Sequence, residues 1–403
     1  MEFHDMRRIG YGQLVALFFL PAVIVGAETP KEALVLLKSV GREGAGNEAA
    51  ARAWKEVVAQ GPSVLPAILQ AMDDADSASA NWLRTAGDAI VDRALSKSRS
   101  LPSGALEQFV RQSRHNGAAR RLAYEWLCRI DAKTPDRFLP GMLQDPSPEL
   151  RRDAVAAVLK QARSELDKGH KDAARASYRR ALTGACDKDQ VDTIAKELDK
   201  LGSKIDVAAH FGFVRHWLLA APFDNHNEAG FNVVYPPEKS LDPTKSLNPM
   251  AVFKGKDGKE VRWTAATTVD RYGMVNLNKE LGKQQGVVAY ALAAIESPKE
   301  RPIQIRVGSL NAIKIFLNGK EIFSREEYHH GIDMDQYIAS ATLKAGRNEL
   351  LLKVCQNEQK EEWAQEWGFQ LRLCDAVGAA IPFSVIQSKI HTQTHKSAKE
   401  ERN

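Results

Sequence analysis

The chain has 403 residues, with 56 Lys and Arg against 51 Asp and Glu, four Cys, seven Trp and 44% hydrophobic residues. This composition excludes wholesale disorder, a collagen-like repeat and a disulfide-dense scaffold, and at roughly 100 to 200 residues per domain the length predicts two or three domains with cores of their own. A net charge of +5 is small for this length and forms no basic stripe apart from a short tail, so nucleic acid is not an expected partner.

Arg7 and Arg8 precede an almost uninterrupted apolar run from Leu14 to Val25, followed by Gly26-Ala27 and the polar Glu28-Thr29-Pro30. A positive start, an apolar stretch of about 7 to 15 residues and small residues before a cleavage point form a secretory signal pattern. It predicts a signal peptide over 1–27 and an exported protein of the periplasm, cell envelope or extracellular space. The alternative is an uncleaved anchor, but the run falls short of the roughly 17 to 25 residues that span a bilayer, so no membrane span is expected after cleavage. Met6 is an alternative start that removes Glu2 and Asp5 from the positive segment. Export permits disulfides, yet Cys128, Cys186, Cys355 and Cys374 show no CxxC, CxxCH or framework spacing. Cys355 and Cys374 are expected on neighbouring strands of one hairpin, too far apart along it to bond, and all four as free thiols.

Residues 28–205 carry a helical, Ala- and Leu-rich pattern broken by Pro, Gly and Asp. Leu-Pro steps at Leu65-Pro66, Leu101-Pro102 and Leu139-Pro140 recur with a period in the high thirties, the signature of stacked helix pairs. In the clearest unit one helix ends at Asp145, Ser147 caps the next, Pro148 opens it, and Leu150, Ala154, Val155 and Leu159 form its buried stripe. This unit resembles a HEAT repeat. The segment Gly169 to Leu182, with Ala174, Tyr178 and Ala181 on one face, is similar to the second helix of a tetratricopeptide (TPR) unit. Two readings stand for this half, a concave surface for a protein partner and a helical spacer.

From 206 to 378 the periodicity changes from 3.6 to 2. Strands are expected over Val287–Ile295, Ile303–Gly308, Ala312–Leu317, Glu321–Ser324, Tyr337–Leu343, Glu349–Cys355 and Phe369–Cys374. Asn318-Gly319 is a type I′ hairpin signal, and Lys344 to Asn348 reads as a further turn. Seven strands without a helix-length interruption predict an antiparallel two-sheet sandwich. Residues 379–403 read as a basic, disordered tail, with Val377 to Ile386 as an apolar stretch able to dock on the protein's own surface.

Several ordered motifs carry a family resemblance: Phe211-Gly212-Phe213 before Trp217, Ala221-Pro222-Phe223-Asp224, Val234-Tyr235-Pro236-Pro237-Glu238, Ala289-Tyr290-Ala291, Ile315-Phe316-Leu317-Asn318-Gly319-Lys320 and Leu351-Leu352-Lys353-Val354. In this order they resemble the galactose-binding-like jelly rolls related to the sugar-binding domain of family 2 glycoside hydrolases, as found in exported planctomycete proteins behind a HEAT/TPR-like helical region. The resemblance implies a helical-repeat solenoid followed by a β-sandwich jelly roll, with glycan or polysaccharide as the ligand.

Polar loops supply the candidate site. Arg325 to Asp335 holds Tyr328, His329, His330 and Asp333, residue types suited to metal or acid/base work on a loop between strands. Adjacent histidines on extended backbone point to opposite sides and do not share a metal easily. Trp363, and less so Trp367, offers a flat face for a sugar ring; Trp217 and Trp263 read as core. Asp224 and Asn225 belong to a second polar loop, with Asx turns as its plainer explanation. No GxSxG, Walker A, HExxH or GxGxxG pattern is present.

The expected function is therefore non-catalytic: carbohydrate binding through the sandwich by Asp224, Asn225, Tyr328, His329, His330, Asp333 and Trp363, and protein interaction through the helices. The alternatives are a purely structural envelope scaffold and a hydrolase or lyase acting on polysaccharide. No cofactor or metal is expected, a structural calcium being the one addition left open.

Overall fold

The computed structural model describes residues 30–242 and 246–386. The expected signal peptide at 1–27 and the basic segment from 387 lie outside the described residues. Helices precede antiparallel sheets, and the chain divides into two compact units between Leu127 and Cys128. Among the described residues, no helix is long and apolar enough to cross a membrane.

The first unit is built from α1 (Pro30–Lys38), α2 (Asn47–Gln60), α3 (Leu65–Ala71), α4 (Ser77–Ser96), α5 (Ser103–Arg111) and most of α6 (Gly117–Ile130). In α4 the buried residues Leu83, Ala86, Gly87, Ile90, Val91 and Ala94 recur every three or four positions, which puts them on one face. The Asp76 carboxylate caps this helix by accepting from the Ser79 N–H at 2.8 Å. Gly87 makes room for the Trp126 indole of α6, since a Cβ there would stand 2.5 Å from the ring. The indole Nε1 in turn donates to Asp88 Oδ1 at 2.8 Å.

The second unit begins with α7 (Thr134–Phe138), α8 (Pro148–Asp167), α9 (Lys171–Leu182), α10 (Lys188–Lys200) and α11 (Val207–Phe211). Ser147 caps α8 as its sequence predicts, its Oγ accepting from Leu150 N at 3.4 Å. Ala174, Tyr178 and Ala181 of α9 are buried together with Val155, Ile194, Leu198 and Phe211, and Phe213, Tyr272 and Met334 of the strand-rich region pack into the same cluster. Helix continues through α11 to Phe211 and strand begins at His216, and α8 to α11 share a core with the residues that follow.

Thirteen strands follow among the described residues: β1 (His216–Asp224), β2 (Val252–Lys254), β3 (Glu260–Arg262), β4 (Thr264–Thr267), β5 (Val275–Asn276), β6 (Val287–Ser297), β7 (Arg301–Ser309), β8 (Ile313–Leu317), β9 (Lys320–Arg325), β10 (Tyr337–Leu343), β11 (Gly346–Gln356), β12 (Gly368–Cys374) and β13 (Ser384–Val385). Short helices α12 (Pro236–Lys239) and α13 (Leu277–Leu281) lie between them. The larger sheet runs β4-β1-β6-β11-β8-β9 with β13 on β6, and the smaller runs β10-β7-β12-β5. Every pairing is antiparallel. Alternate residues of both sheets, among them Ala291, Ile315, Leu352, Ile305 and Leu371, meet in one core. Asn318 and Gly319 both have positive φ, as a type I′ turn requires.

The other face of the larger sheet is also covered. Tyr290, Phe316, Leu351 and Cys355 pack under Phe231, Tyr235, Leu247 and Trp263 from the excursion after β1. Burial on both faces explains the unbroken apolar run of β6. A lysine secures the cover: Lys353, 0% exposed, donates from Nζ to the carbonyls of Phe231 (3.0 Å) and Val233 (2.7 Å) and to Glu238 Oε1 (2.9 Å).

Two expectations need correction. Cys355 and Cys374 lie in different sheets, on β11 and β12, because the connection after β11 crosses the core instead of turning back. The segment from 379 is not loose from its start: apolar Ile381, Phe383 and Val385 pack on the core, and β13 pairs with β6, so the docking expected of Val377 to Ile386 occurs.

Candidate functional site

Strand register assembles the site. Asp224 of β1 and Gln356 of β11 both stand opposite Val287 of β6, so the loops after these strands leave from one point of the sheet edge. Ile313 of β8 is paired with Val354 on one side and Arg325 on the other, which brings the loop after β9 to the same edge. In an antiparallel sheet alternate strands run the same way, so β1, β11 and β9 end together.

Asn225 is the buried hub. Its Nδ2 donates to the Gln356 carbonyl (3.0 Å) and to Tyr328 Oη (3.3 Å), tying the three loops to one side chain. Its Oδ1 is buried with no partner among the described residues. Burial beside Cys355 raises the Tyr328 pKa, which keeps the phenol protonated, and burial pushes the Cys355 thiol up to about 12.

His329 has φ 54° and lies over the loop after β11. Its main-chain N–H donates to Asn311 Oδ1 (3.0 Å) and its Nε2 to Asn357 Oδ1 (2.6 Å), while Asn357 Nδ2 donates onward to Glu228 Oε1 (3.0 Å). Trp363 meets the His329 ring edge to face at 5.6 Å between centroids and is 61% exposed. Next to Asn357 in the chain, Glu358 accepts from Asn227 N (3.0 Å) and pairs with His226 (2.7 Å). These two contacts hold the Glu358 carboxyl below its ordinary pKa.

The structure therefore brings Asn225, Tyr328, His329 and Trp363 together and sets the other candidates apart. His330 turns away from His329 toward Gln336, whose Nε2 donates to its Nδ1 at 2.8 Å. The divergence expected of adjacent histidines occurs, through a left-handed His329 and not through extended backbone. Asp333 is exposed and contributes its carbonyl, to Gln336 N at 3.3 Å. The acid built into this loop is Asp335, two residues on, which pairs with Arg306 (2.7 Å) and buried Arg372 (2.6 Å). Burial pushes the Asp335 carboxyl up, but the two guanidiniums outweigh it and its pKa lies below the ordinary value. Asp224 pairs with Lys256 (3.2 Å) in a neighbouring shallow cleft of about 390 Å³ that none of Tyr328, His329 or Trp363 lines. Trp367, Trp217 and Trp263 are core. Asn357 and Glu358 were not singled out from sequence; their one signal is a polar run at the end of a long apolar strand.

Among the described residues, no group of three or more His, Cys, Asp or Glu is placed to hold a metal. What the cluster offers is a flat aromatic face held on edge by a histidine, bordered by amides and carboxylates that are themselves fixed by hydrogen bonds.

No protein-family profile matches the chain. No curated protein sequence matches it. Among solved structures there is distant similarity to segments of glycoside hydrolases. A β-glucuronidase from an uncultured Clostridium species matches at 12% identity and a TM-score of 0.24, over 41% of this chain and 29% of that one. A β-glucosidase from Kluyveromyces marxianus matches at 10% identity and a TM-score of 0.24, over 45% and 22%. A family 31 α-xylosidase from Xanthomonas citri matches at 11% identity and a TM-score of 0.18, over 33% and 16%. The chain spans less than a third of the length of each of these three.

Proposed function

We propose that the protein is an exported, non-catalytic binding component of the cell envelope, with a galactose-binding-like jelly roll that takes a glycan at the loop end and HEAT/TPR-like helices that engage a protein. The observation that carries the glycan reading is Trp363, exposed yet held in place by His329. A large aromatic face left in water loses apolar burial, and a sugar ring with its C–H face on the indole and its hydroxyls on the exposed carboxylates of Glu228 and Glu358 restores it. The hydrogen-bonded frame of Asn225, Tyr328 and Asn357 keeps the site in one geometry, which lowers the ordering cost of binding.

The test is a thermal-shift screen of neutral, acidic and amino oligosaccharides on the intact chain, since α8 to α11 share a core with the strand-rich region. A ligand at about 100 times its dissociation constant adds roughly 2.7 kcal/mol to stability. The expected result is a saturable shift with one sugar class that Trp363→Ala abolishes. No shift with any class, on a folded chain, overturns the glycan reading.

A further inference from the structure

The three loops tied together by Asn225 are acidic. With His counted as neutral, residues 224–232, 325–330 and 357–367 hold eight carboxylates against two cations, Arg325 and Lys360, a net −6 in a chain whose total is +5. Asp224 is paired with Lys256 and Glu327 with Arg325. Glu228, Glu326, Glu361, Glu362 and Glu366 are exposed, and none of them is paired with a cation among the described residues. Around Glu228 and Glu358 the side-chain donors are engaged: Asn357 Nδ2 by Glu228 Oε1 and Gln359 Oε1 (3.4 Å), His226 Nδ1 by Glu358, and His329 Nε2 by Asn357. A neutral imidazole that donates through one nitrogen accepts through the other, so His226 Nε2 and His329 Nδ1 are acceptors. Glu228 Oε2 has no donor among the described residues. Nor has buried Asn225 Oδ1, which lies against Gly230 of the turn that carries Glu228, where a Cβ would stand 2.6 Å from it. Asn227, Glu228 and His329 all have positive φ, a costly conformation for residues other than glycine and one that gathers at ligand sites.

We propose that the glycan taken at this loop end is an amino-sugar oligosaccharide, a de-N-acetylated hexosamine chain whose free amines carry protons. The inference rests on the glycan reading given above and narrows it to one class. A sugar hydroxyl both donates and accepts, and a uronate carboxylate only accepts. An ammonium is three donors without an acceptor, the complement of what Glu228, Glu358 and the two imidazoles present. Its hydrogen bonds to carboxylates are charge-assisted, roughly twice as strong as those of a neutral hydroxyl. A uronate would enter a field of its own sign, with Lys360 as the one cation of these loops outside an ion pair among the described residues. Ring and charge are thus read by different parts of the site: Trp363 stacks on the C–H face, and the carboxylates of the rim meet the ammonium.

The experiment is calorimetric titration of the full chain with hexamers of glucosamine, N-acetylglucosamine, glucose and galacturonate, at low and high salt and at a pH where the amines are protonated. The expected result is that the glucosamine hexamer binds about tenfold tighter than the glucose and N-acetylglucosamine hexamers, with no binding of galacturonate. That advantage shrinks as salt is raised. Glu228→Gln combined with Glu358→Gln brings the glucosamine hexamer down to the affinity of the glucose hexamer, and Trp363→Ala removes binding of every hexamer. Equal or tighter binding of the glucose, N-acetylglucosamine or galacturonate hexamer, lost in Trp363→Ala, overturns the amino-sugar assignment and leaves the glycan reading standing. An oligolysine that displaces the glucosamine hexamer at equal concentration also overturns the assignment, because the site then reads charge without a sugar ring. Binding of none of the four hexamers to a folded chain overturns both readings.

Discussion

Where α4 meets α6 the deciding residue is the smallest available, Gly87, and where the excursion after β1 meets β11 it is a wholly buried lysine. The helices pack apolar stripes against one another and satisfy most of their backbone internally; where α5 ends, buried Arg120 of α6 donates to the Val110 carbonyl at 2.8 Å. The cover on the larger sheet is irregular, so its carbonyls at Phe231 and Val233 need a donor, and Lys353 supplies it. Arg372 does the same on the smaller sheet, donating to the carbonyls of Phe211 (3.3 Å) and Gly378 (2.8 Å) as well as to Asp335. Regular structure is held by shape, and irregular structure by buried charge.

Substitution at the two contrasting positions tests this directly. Lys353→Met leaves two carbonyls without their donor and the buried Glu238 carboxylate with the Tyr290 hydroxyl but no cation, and a loss of about 3–5 kcal/mol is expected by chemical denaturation. If charge rather than volume is responsible, adding Glu238→Gln recovers part of the loss. Gly87→Ala forces a methyl against the Trp126 ring, and overpacking of this kind costs about 1–3 kcal/mol. Should that variant be as stable as the wild type, the close approach of α4 and α6 is not what the structure indicates.

The Arg372 anchor is read through pH. The folded-state pKa of Asp335 is depressed, so the stability it contributes is present above the ordinary aspartate pKa and is lost as pH falls through the folded value. Asp335→Asn is expected to lose about 2 kcal/mol at neutral pH, on the scale of hydrogen bonds to a charged group. Its stability then falls less steeply than that of the wild type below about pH 4. Parallel acid profiles for the two proteins would remove Asp335 as the titrating anchor. Ser147→Ala removes a helix cap from α8 and is expected to cost about 1 kcal/mol. Trp363→Ala sits at the far end of the scale, with a stability change within about 0.5 kcal/mol and its effect confined to ligand binding.

The candidate site was half legible. Tyr328, His329, Trp363 and Asn225 could be picked out because polar and aromatic residues in loops between apolar strands stand out from their surroundings. Asn357 could not, because nothing local separates an asparagine in a solvated turn from one that joins His329 to Glu228. Asp333 and Asp335 look alike in the sequence. Arg372, arriving from β12, decides between them, and that neighbour is set by sheet pairing. The β1 strand escaped notice because Ala221-Pro222 interrupts its alternation, at the place where its register against β6 shifts.

Local pattern was enough to determine the order of helices and strands, the Ser147 cap, the Asn318-Gly319 turn, the inward face of α9 and the strands β6 to β12, since each depends on residues close together in the chain. Tertiary structure alone decided that β11 and β12 belong to different sheets, that α8 to α11 share a core with the strands, and that three loops meet at one edge. Those outcomes depend on register and on which faces find a partner, and period-2 alternation is the same for every strand whichever neighbour it pairs with.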